Sequence, residues 1–257
     1  MKAYFLSDLH LKDMQERNSQ TLLRFLRSVV KERNAKVFLV GDIFDLWIGK
    51  HQYFVSRFQP IVDAVSDLVK AGVEVHYFEG NHDLYLKHFW KDLGVITHED
   101  AMTTELQGLR VRIEHGDLMN PDDKGYLFLR WLLRTPVMKL IAYLLPSSLV
   151  SKIGERASHA SRDYTSTSKS LPEADIRLIT RTHAIKAAKT EAFDLIISGH
   201  VHVRDDYEFP VLRVSEVDSA DEVVEGSVRS INLGSWFDEP KVFVLENSQG
   251  KFQSLNY

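Results

Sequence analysis

The sequence predicts an α/β fold, a largely parallel sheet of βαβ units carrying one helical insertion. Three observations carry that expectation. Short apolar runs of strand length alternate with segments whose apolar residues recur at helical spacing. Five of the runs end in Asp, His or Asn. Between Leu118 and about Thr190 the alternation stops, and the chain turns helical, apolar and basic.

In chain order, residues 3–6 form the first strand, ending at Ser7-Asp8-Leu9-His10. Residues 21–31 put Leu22, Phe25, Leu26, Val29 and Val30 on one helical face. Residues 36–40, KVFLV, form a compact strand ending at Gly41-Asp42. A second helix covers 54–70, closed by Ala71-Gly72. The next strand, 73–78, runs into Glu79-Gly-Asn-His-Asp-Leu84. Residues 95–98, 102–106 and 109–114 read as shorter strands, the last two joined by a turn at Gln107-Gly108. Residues 193–198 form a strand ending at Gly199-His200, and 228–233 and 241–245 close the chain.

A chain of 257 residues has room for an α/β core, here 1–118 with 191–257, and an inserted subdomain, 119–190. With 44% hydrophobic and 26% charged residues the composition is that of a globular protein. A net charge of -4 argues against a nucleic-acid partner. The absence of cysteine excludes disulfides and thiolate metal sites and fits a reducing compartment. Asp8 and His10 interrupt what would be the apolar stretch of a signal peptide. No run reaches the roughly 18 apolar residues of a spanning helix. The expectation is a cytoplasmic protein, peripheral on the inner face of the cytoplasmic membrane.

Position makes the polar residues informative. Asp8 and His10 follow the first strand, Asp42 and Asp45 the second, and Asn81, His82 and Asp83 the third. His115 and Asp117 follow a fourth, His200 and His202 a fifth. In open α/β sheets that edge is where ligands bind. Alone, an Asp-x-His is ordinarily a helix cap or a surface pair, and a Gly-Asn a turn. Five such motifs at strand ends, in order, point instead to a metal centre. Carboxylate, imidazole and amide oxygen suit Mn, Fe, Co, Ni or Zn, and are too rich in imidazole for Ca or Mg. Seven candidate donors exceed what one ion takes; two ions about 3.5–4 Å apart, bridged by a carboxylate, suit phosphate-ester hydrolysis. His51, His76, His88, His98, His159 and His183 fall outside the pattern and read as surface or core histidines.

Asp8-x-His10, Gly41-Asp42, Gly80-Asn81-His82-Asp83, His115-Gly116-Asp117 and Gly199-His200-Val201-His202 together resemble the signature of the calcineurin-like metallophosphoesterases. The resemblance implies a four-layer αββα sandwich with a dinuclear centre. One metal would take Asp8, His10, Asp42 and His202; the other would take Asp42, Asn81, His115 and His200, with Asp42 bridging. Two further blocks, Gly41-Asp42-Ile-Phe-Asp-Leu-Trp47-Ile-Gly49 and His115-Gly-Asp-Leu-Met-Asn-Pro-Asp-Asp123-Lys-Gly-Tyr126, are similar to those of the UDP-2,3-diacylglucosamine pyrophosphatases. Those enzymes make lipid X and UMP in lipid A synthesis, and their insertion is a helical lid over the acyl chains. Asn81, His82, Asp123, Tyr126, Ser166, Lys169 and His200 match positions that such enzymes use for substrate. That family carries Arg where this chain has His82, while the wider superfamily has His.

Residues 126–150, YLFLRWLLRTPVMKLIAYLLPSSLV, carry more apolar surface than one helix face needs. Pro136 and Pro146 break the stretch into short helices, and Arg130, Arg134 and Lys139 punctuate it. One reading is a helical hairpin whose apolar face packs on the core. The other is a basic, apolar surface that sits at a membrane and takes up acyl chains.

The function expected is a two-metal phosphoesterase, Mn-dependent first and Fe, Zn, Co or Ni otherwise, acting on a lipid-linked phosphate or pyrophosphate. UDP-2,3-diacylglucosamine is the leading substrate, cleaved by an activated water. His82 would act as general acid or phosphate-binding cation, with Asp83 orienting its ring. A soluble nucleotide phosphodiesterase or phosphoprotein phosphatase is the alternative, though neither substrate needs an apolar lid. A non-catalytic scaffold would have lost donors, and none is lost here.

Overall fold

In the computed structural model, which describes residues 1–32, 34–147, 149–150, 152, 171–214 and 223–256, β1 (Lys2–Leu6) alternates along its length. Ala3 and Phe5 belong to one apolar cluster, Tyr4 and Leu6 to another, and all four are buried. A strand buried on both faces must lie between two layers. β2 (Ala35–Leu39) and β4 (Glu74–Phe78) repeat the pattern. Phe38 and Phe78 join Phe5 on one side; Val37, Leu39, Val75 and Tyr77 join Leu6 on the other.

With β6 (Ile96–His98) these strands run parallel, and β12 (Lys241–Glu246) and β13 (Gln249–Ser254) extend the sheet antiparallel, in the order β13-β12-β1-β2-β4-β6. Helices α1 (Arg17–Val29) and α3 (Gln59–Lys70) cover its outer face through Leu22, Phe25 and Leu26, and through Ile61, Val65 and Leu68. The short α4 (Lys87–Trp90) adds Trp90 to the same cluster.

The second sheet contains β7 (Met102–Leu106), β8 (Leu109–Ile113), β9 (Leu195–Ser198), β10 (Asp205–Val214) and β11 (Val223–Asn232), in the order β10-β11-β9-β8-β7. Its inner residues Leu106, Val111, Ile113, Leu195, Ile197 and Ile231 pack against Ala3, Phe5 and Phe38. Its outer face meets helix α7 (Glu173–Thr190), whose Ala184 sits among Phe193, Ile196, Phe209 and Val228. Helix, sheet, sheet and helix make four layers, as the sequence motifs implied.

Several elements differ from expectation. α1 begins at Arg17, four residues early, and the helix expected over 54–70 breaks at Phe58 into α2 (Gln52–Arg57) and α3, with proline in the first turn of α3. β10, β13 and the first half of β11 were not foreseen. β10 contains Pro210, which argues against a central strand, but β10 is an edge strand, where proline is tolerated. α7 lies inside the 119–190 span, yet it forms the outer layer of the second sheet. Ahead of it the described insertion carries a hairpin of α5 (Lys124–Leu133) and α6 (Pro136–Leu144), neither of which contains a buried residue, while Val150 after the hairpin joins the core. Two short strands, β3 (Trp47–Ile48) and β5 (Asp83–Leu84), pair and tie the loop after β2 to the loop after β4.

Candidate metal centre

The loops leaving β1, β2, β4, β8 and β9 converge at one end of the two sheets. Asp8, His10, Asp42, His200 and His202 all take positive φ, between 49° and 69°. Left-handed backbone is uncommon outside glycine, and five such residues are gathered at this one end of the sheets. Gly80 is required beside them, because a Cβ there would strike the Asp42 carboxylate.

Each carboxylate is anchored by one oxygen and presents the other. Asp8 Oδ2 accepts from Ser7 Oγ at 2.5 Å and from the His200 N–H at 2.8 Å. Asp8 Oδ1 is buried, receives no hydrogen bond, and lies 3.4 Å from His202 Nε2 and 3.9 Å from His10 Nε2. Asp42 Oδ1 accepts the His82 N–H at 2.9 Å, while Oδ2 stands between His10 Nε2 at 3.8 Å and His115 Nε2 at 3.6 Å. His115 is anchored in the same way: Nδ1 donates to the Val40 carbonyl at 2.9 Å, which turns Nε2 inward. Asn81 Oδ1 lies 3.3 Å from His115 Nε2 and 3.0 Å from His200 Nδ1, and His10 Nε2 faces His202 Nε2 at 3.0 Å.

Three groups of donor atoms emerge, each within 4.8 Å: Asp8, His10 and His202; Asp42, His115 and His200; and His10, Asp45 and His82. The first two, with Asn81 added and Asp42 placed toward both, bring together the seven residues expected from sequence. Buried carboxylate, imidazole and amide groups packed this closely around one point are what divalent cations satisfy. The donor set therefore fits two such ions.

Electrostatics agree. Burial would raise the Asp42 carboxyl, but His115, His82 and His10 hold it well below the usual carboxylate range. Burial opposes the His115 imidazolium, yet Asp42 beside it raises that group well above its ordinary value. His10 and His200 are pushed down to about 4, chiefly by burial. The Asp42 carboxylate thus favours a proton on His115, and such a proton must leave when metal enters.

His82 donates Nδ1–H to the Asp45 carbonyl at 2.8 Å, since a carbonyl can only accept, and its ring stands perpendicular to His10 with centroids 4.8 Å apart. The expected partnership with Asp83 is corrected: Asp83 is fully buried and accepts from the backbone of Asp42, Ile43 and Gly80 and from the Tyr77 hydroxyl. Asp45, not Asp83, orients the ring.

Asp117 accepts from Tyr126 Oη and Arg130 Nε, both at 2.6 Å, fastening α5 to the site. Asp123 caps α5, accepting the Tyr126 N–H at 3.1 Å, and the Tyr126 ring lies 6.0 Å from that of His200. Ser166 and Lys169 lie outside the described residues. Arg134, read from sequence only as a basic residue of the insertion, reaches the Glu99 carbonyl at 2.7 Å and stands 3.6 Å from Glu79, a tie that only the fold brings together. One neighbour of the site escaped the sequence reading. Phe237 stacks on His10, and no periodicity marks it.

The calcineurin-like phosphoesterase family model matches residues 1–204. A UDP-2,3-diacylglucosamine hydrolase of Photorhabdus laumondii is 30% identical over 95% of this chain and 95% of its own length. One from Vibrio atlanticus is 27% identical over 100% of this chain and 98% of its own. A solved dimetal phosphatase of Danio rerio is 13% identical, with a TM-score of 0.48 over 99% of this chain and 95% of that one.

Proposed function

The chain belongs to the calcineurin-like phosphoesterase family and is a metal-dependent hydrolase, and from that premise we propose that it cleaves the pyrophosphate of UDP-2,3-diacylglucosamine to lipid X and UMP. The observation that carries this is the α5–α6 hairpin fastened to Asp117 at the lip of the donor cluster. Leu118, Leu127, Trp131 and Pro136, with Arg130 and Arg134, line a cavity of about 350 Å³ there. An apolar cleft edged by guanidinium groups suits an acylated, anionic substrate and is superfluous for a soluble nucleotide.

The proposed metal ligands are Asp8, His10, Asp42, Asn81, His115, His200 and His202. Bound metals, manganese by preference, would supply Lewis-acid activation of water and neutralise phosphoryl charge. Asp42 would hold the two halves of the centre in register. His82, fixed through Nδ1, would present Nε2 to the phosphate for hydrogen bonding or proton transfer. Asp123, Tyr126, Ser166 and Lys169 remain proposed substrate contacts.

Phe128, Trp131, Val137, Leu140 and Leu144 are each more than half exposed, and all lie on the hairpin. No helix among the described residues is long and apolar enough to cross a membrane. We assign the hairpin to peripheral contact with the cytoplasmic membrane, where it would collect acyl chains. At about 0.8 kcal/mol per CH₂ removed from water, an apolar cleft can offset extraction of the substrate. The test is mass-spectrometric detection of UMP and lipid X from UDP-2,3-diacylglucosamine, with UDP-N-acetylglucosamine as comparator. Equal turnover of both would overturn the assignment.

A further inference from the structure

We infer that Phe237 is a stacking platform for the nucleobase of the substrate, and so a specificity residue on the side of the centre opposite the lid. The inference rests on the nucleotide-lipid substrate proposed above and adds where its nucleoside sits. The Phe237 ring is 61% exposed, yet it lies nearly parallel to His10, at 5.6 Å and 22°, and edge-on to His202, at 5.4 Å and 82°. One face is thus covered by a donor imidazole and the other is open.

The turn that carries the ring is fixed just before it. Trp236 is buried, donates Nε1–H to the Lys241 carbonyl at 2.8 Å, and donates its backbone N–H to the Asp8 carbonyl at 3.3 Å. Ser235 N–H reaches the His202 carbonyl at 3.4 Å. Gly234 has φ of +64°, with the Arg204 backbone where a side chain would be. A singly exposed aromatic ring is ordinary on a protein surface. One stacked on the imidazole of a proposed metal donor is not.

The neighbours of the centre are divided. Tyr126, Asp117 and the hairpin flank the His115–His200 half, whereas Phe237 flanks the His10–His202 half. A substrate with a pyrophosphate across the centre has two different arms. The apolar cleft suits the acylated arm, so the other arm, a ribose carrying a pyrimidine, extends toward Phe237. A base stacks on an aromatic face whatever its hydrogen-bonding pattern.

The experiment compares UMP with ribose 5-phosphate, which lacks the base, by calorimetry on metal-loaded wild type, Phe237→Ala and Phe237→Trp, with bound metal quantified in each. Wild type and Phe237→Trp should bind UMP roughly 5- to 100-fold more tightly than ribose 5-phosphate, the range that stacking provides. Phe237→Ala should lose that advantage while keeping its metal and its ribose 5-phosphate affinity. Equal binding of the two ligands by wild type overturns the proposal. So does an advantage that survives in Phe237→Ala, or a loss of metal in that variant, which would make the ring a support for His10. Wild type that keeps the UMP advantage but fails to hydrolyse UDP-2,3-diacylglucosamine would overturn the lipid substrate and sustain the platform.

Discussion

Asp83 Oδ1 accepts the backbone N–H of Asp42, and its Oδ2 accepts that of Ile43, both at 2.9 Å. The same carboxylate takes the Gly80 N–H at 2.9 Å and the Tyr77 hydroxyl at 2.6 Å. One buried side chain therefore fastens the loop after β2 to the loop after β4, and the proposed ligands Asp42 and Asn81 ride on those loops.

Asp83→Ala should leave buried donors without an acceptor, each costing about 1–3 kcal/mol. Thermal stability and bound metal should fall together, measured by calorimetry and elemental analysis. Full metal occupancy in this variant would show that the loops hold their positions without the staple.

Asp83 marks the point at which sequence stops being informative. Continuous apolar runs marked β1, β2 and β4 as strands, and the motifs placed polar residues at the strand ends. Neither says which way a side chain turns once the strand has ended. Asp8, His10, Asp42, His200 and His202 leave their strands through left-handed backbone, which no hydrophobic period encodes. The Asp45 carbonyl thus takes the part expected of Asp83. The hairpin was legible because Pro136 punctuates it, while α7 was not separable from it because its apolar side meets the sheet through small residues such as Ala184.

His82→Arg tests the proton-transfer role. A phosphate leaving group with a second pKa near 6 hardly needs a proton, whereas an alkoxide does. Pyrophosphate cleavage should survive, and hydrolysis of an alkyl phosphodiester should fall by roughly 10²–10⁴-fold, the usual contribution of a general acid. Turnover of both substrates at the wild-type rate would remove His82 from the chemistry.

Replacing Trp131 and Leu132 with Ser tests the hairpin. Trp131 is 63% exposed and lines the cavity beside Arg130, so the change costs the core little. Use of the acylated substrate should drop steeply, while a small chromogenic phosphodiester is cleaved almost as before. Equal loss on both would reduce the hairpin to a structural element.

Glu79 supplies a pH dependence whose sign is fixed. Its carboxyl is buried, with Oε1 accepting the Leu86 N–H at 2.9 Å and Oε2 3.6 Å from Arg134 Nη1. Burial raises it from 4.5 to about 7, against the opposing pull of Arg134 and the Leu86 amide. Between those values the native state retains a proton that the unfolded chain has released. The native state binds more protons there, so stability falls as pH rises through the window. The contribution is complete below pH 4.5 and lost as pH passes about 7. Glu79→Gln keeps an acceptor for Leu86 and cannot ionise. Urea unfolding with chelator present should therefore show the variant gaining on wild type between pH 5 and pH 8. The gain should be at most about 3 kcal/mol, since each tenfold change in proton affinity is worth ~1.36 kcal/mol. Curves that stay parallel across that range would mean that the Arg134 guanidinium already keeps Glu79 ionised, and that the hairpin is tied to this loop by a full ion pair.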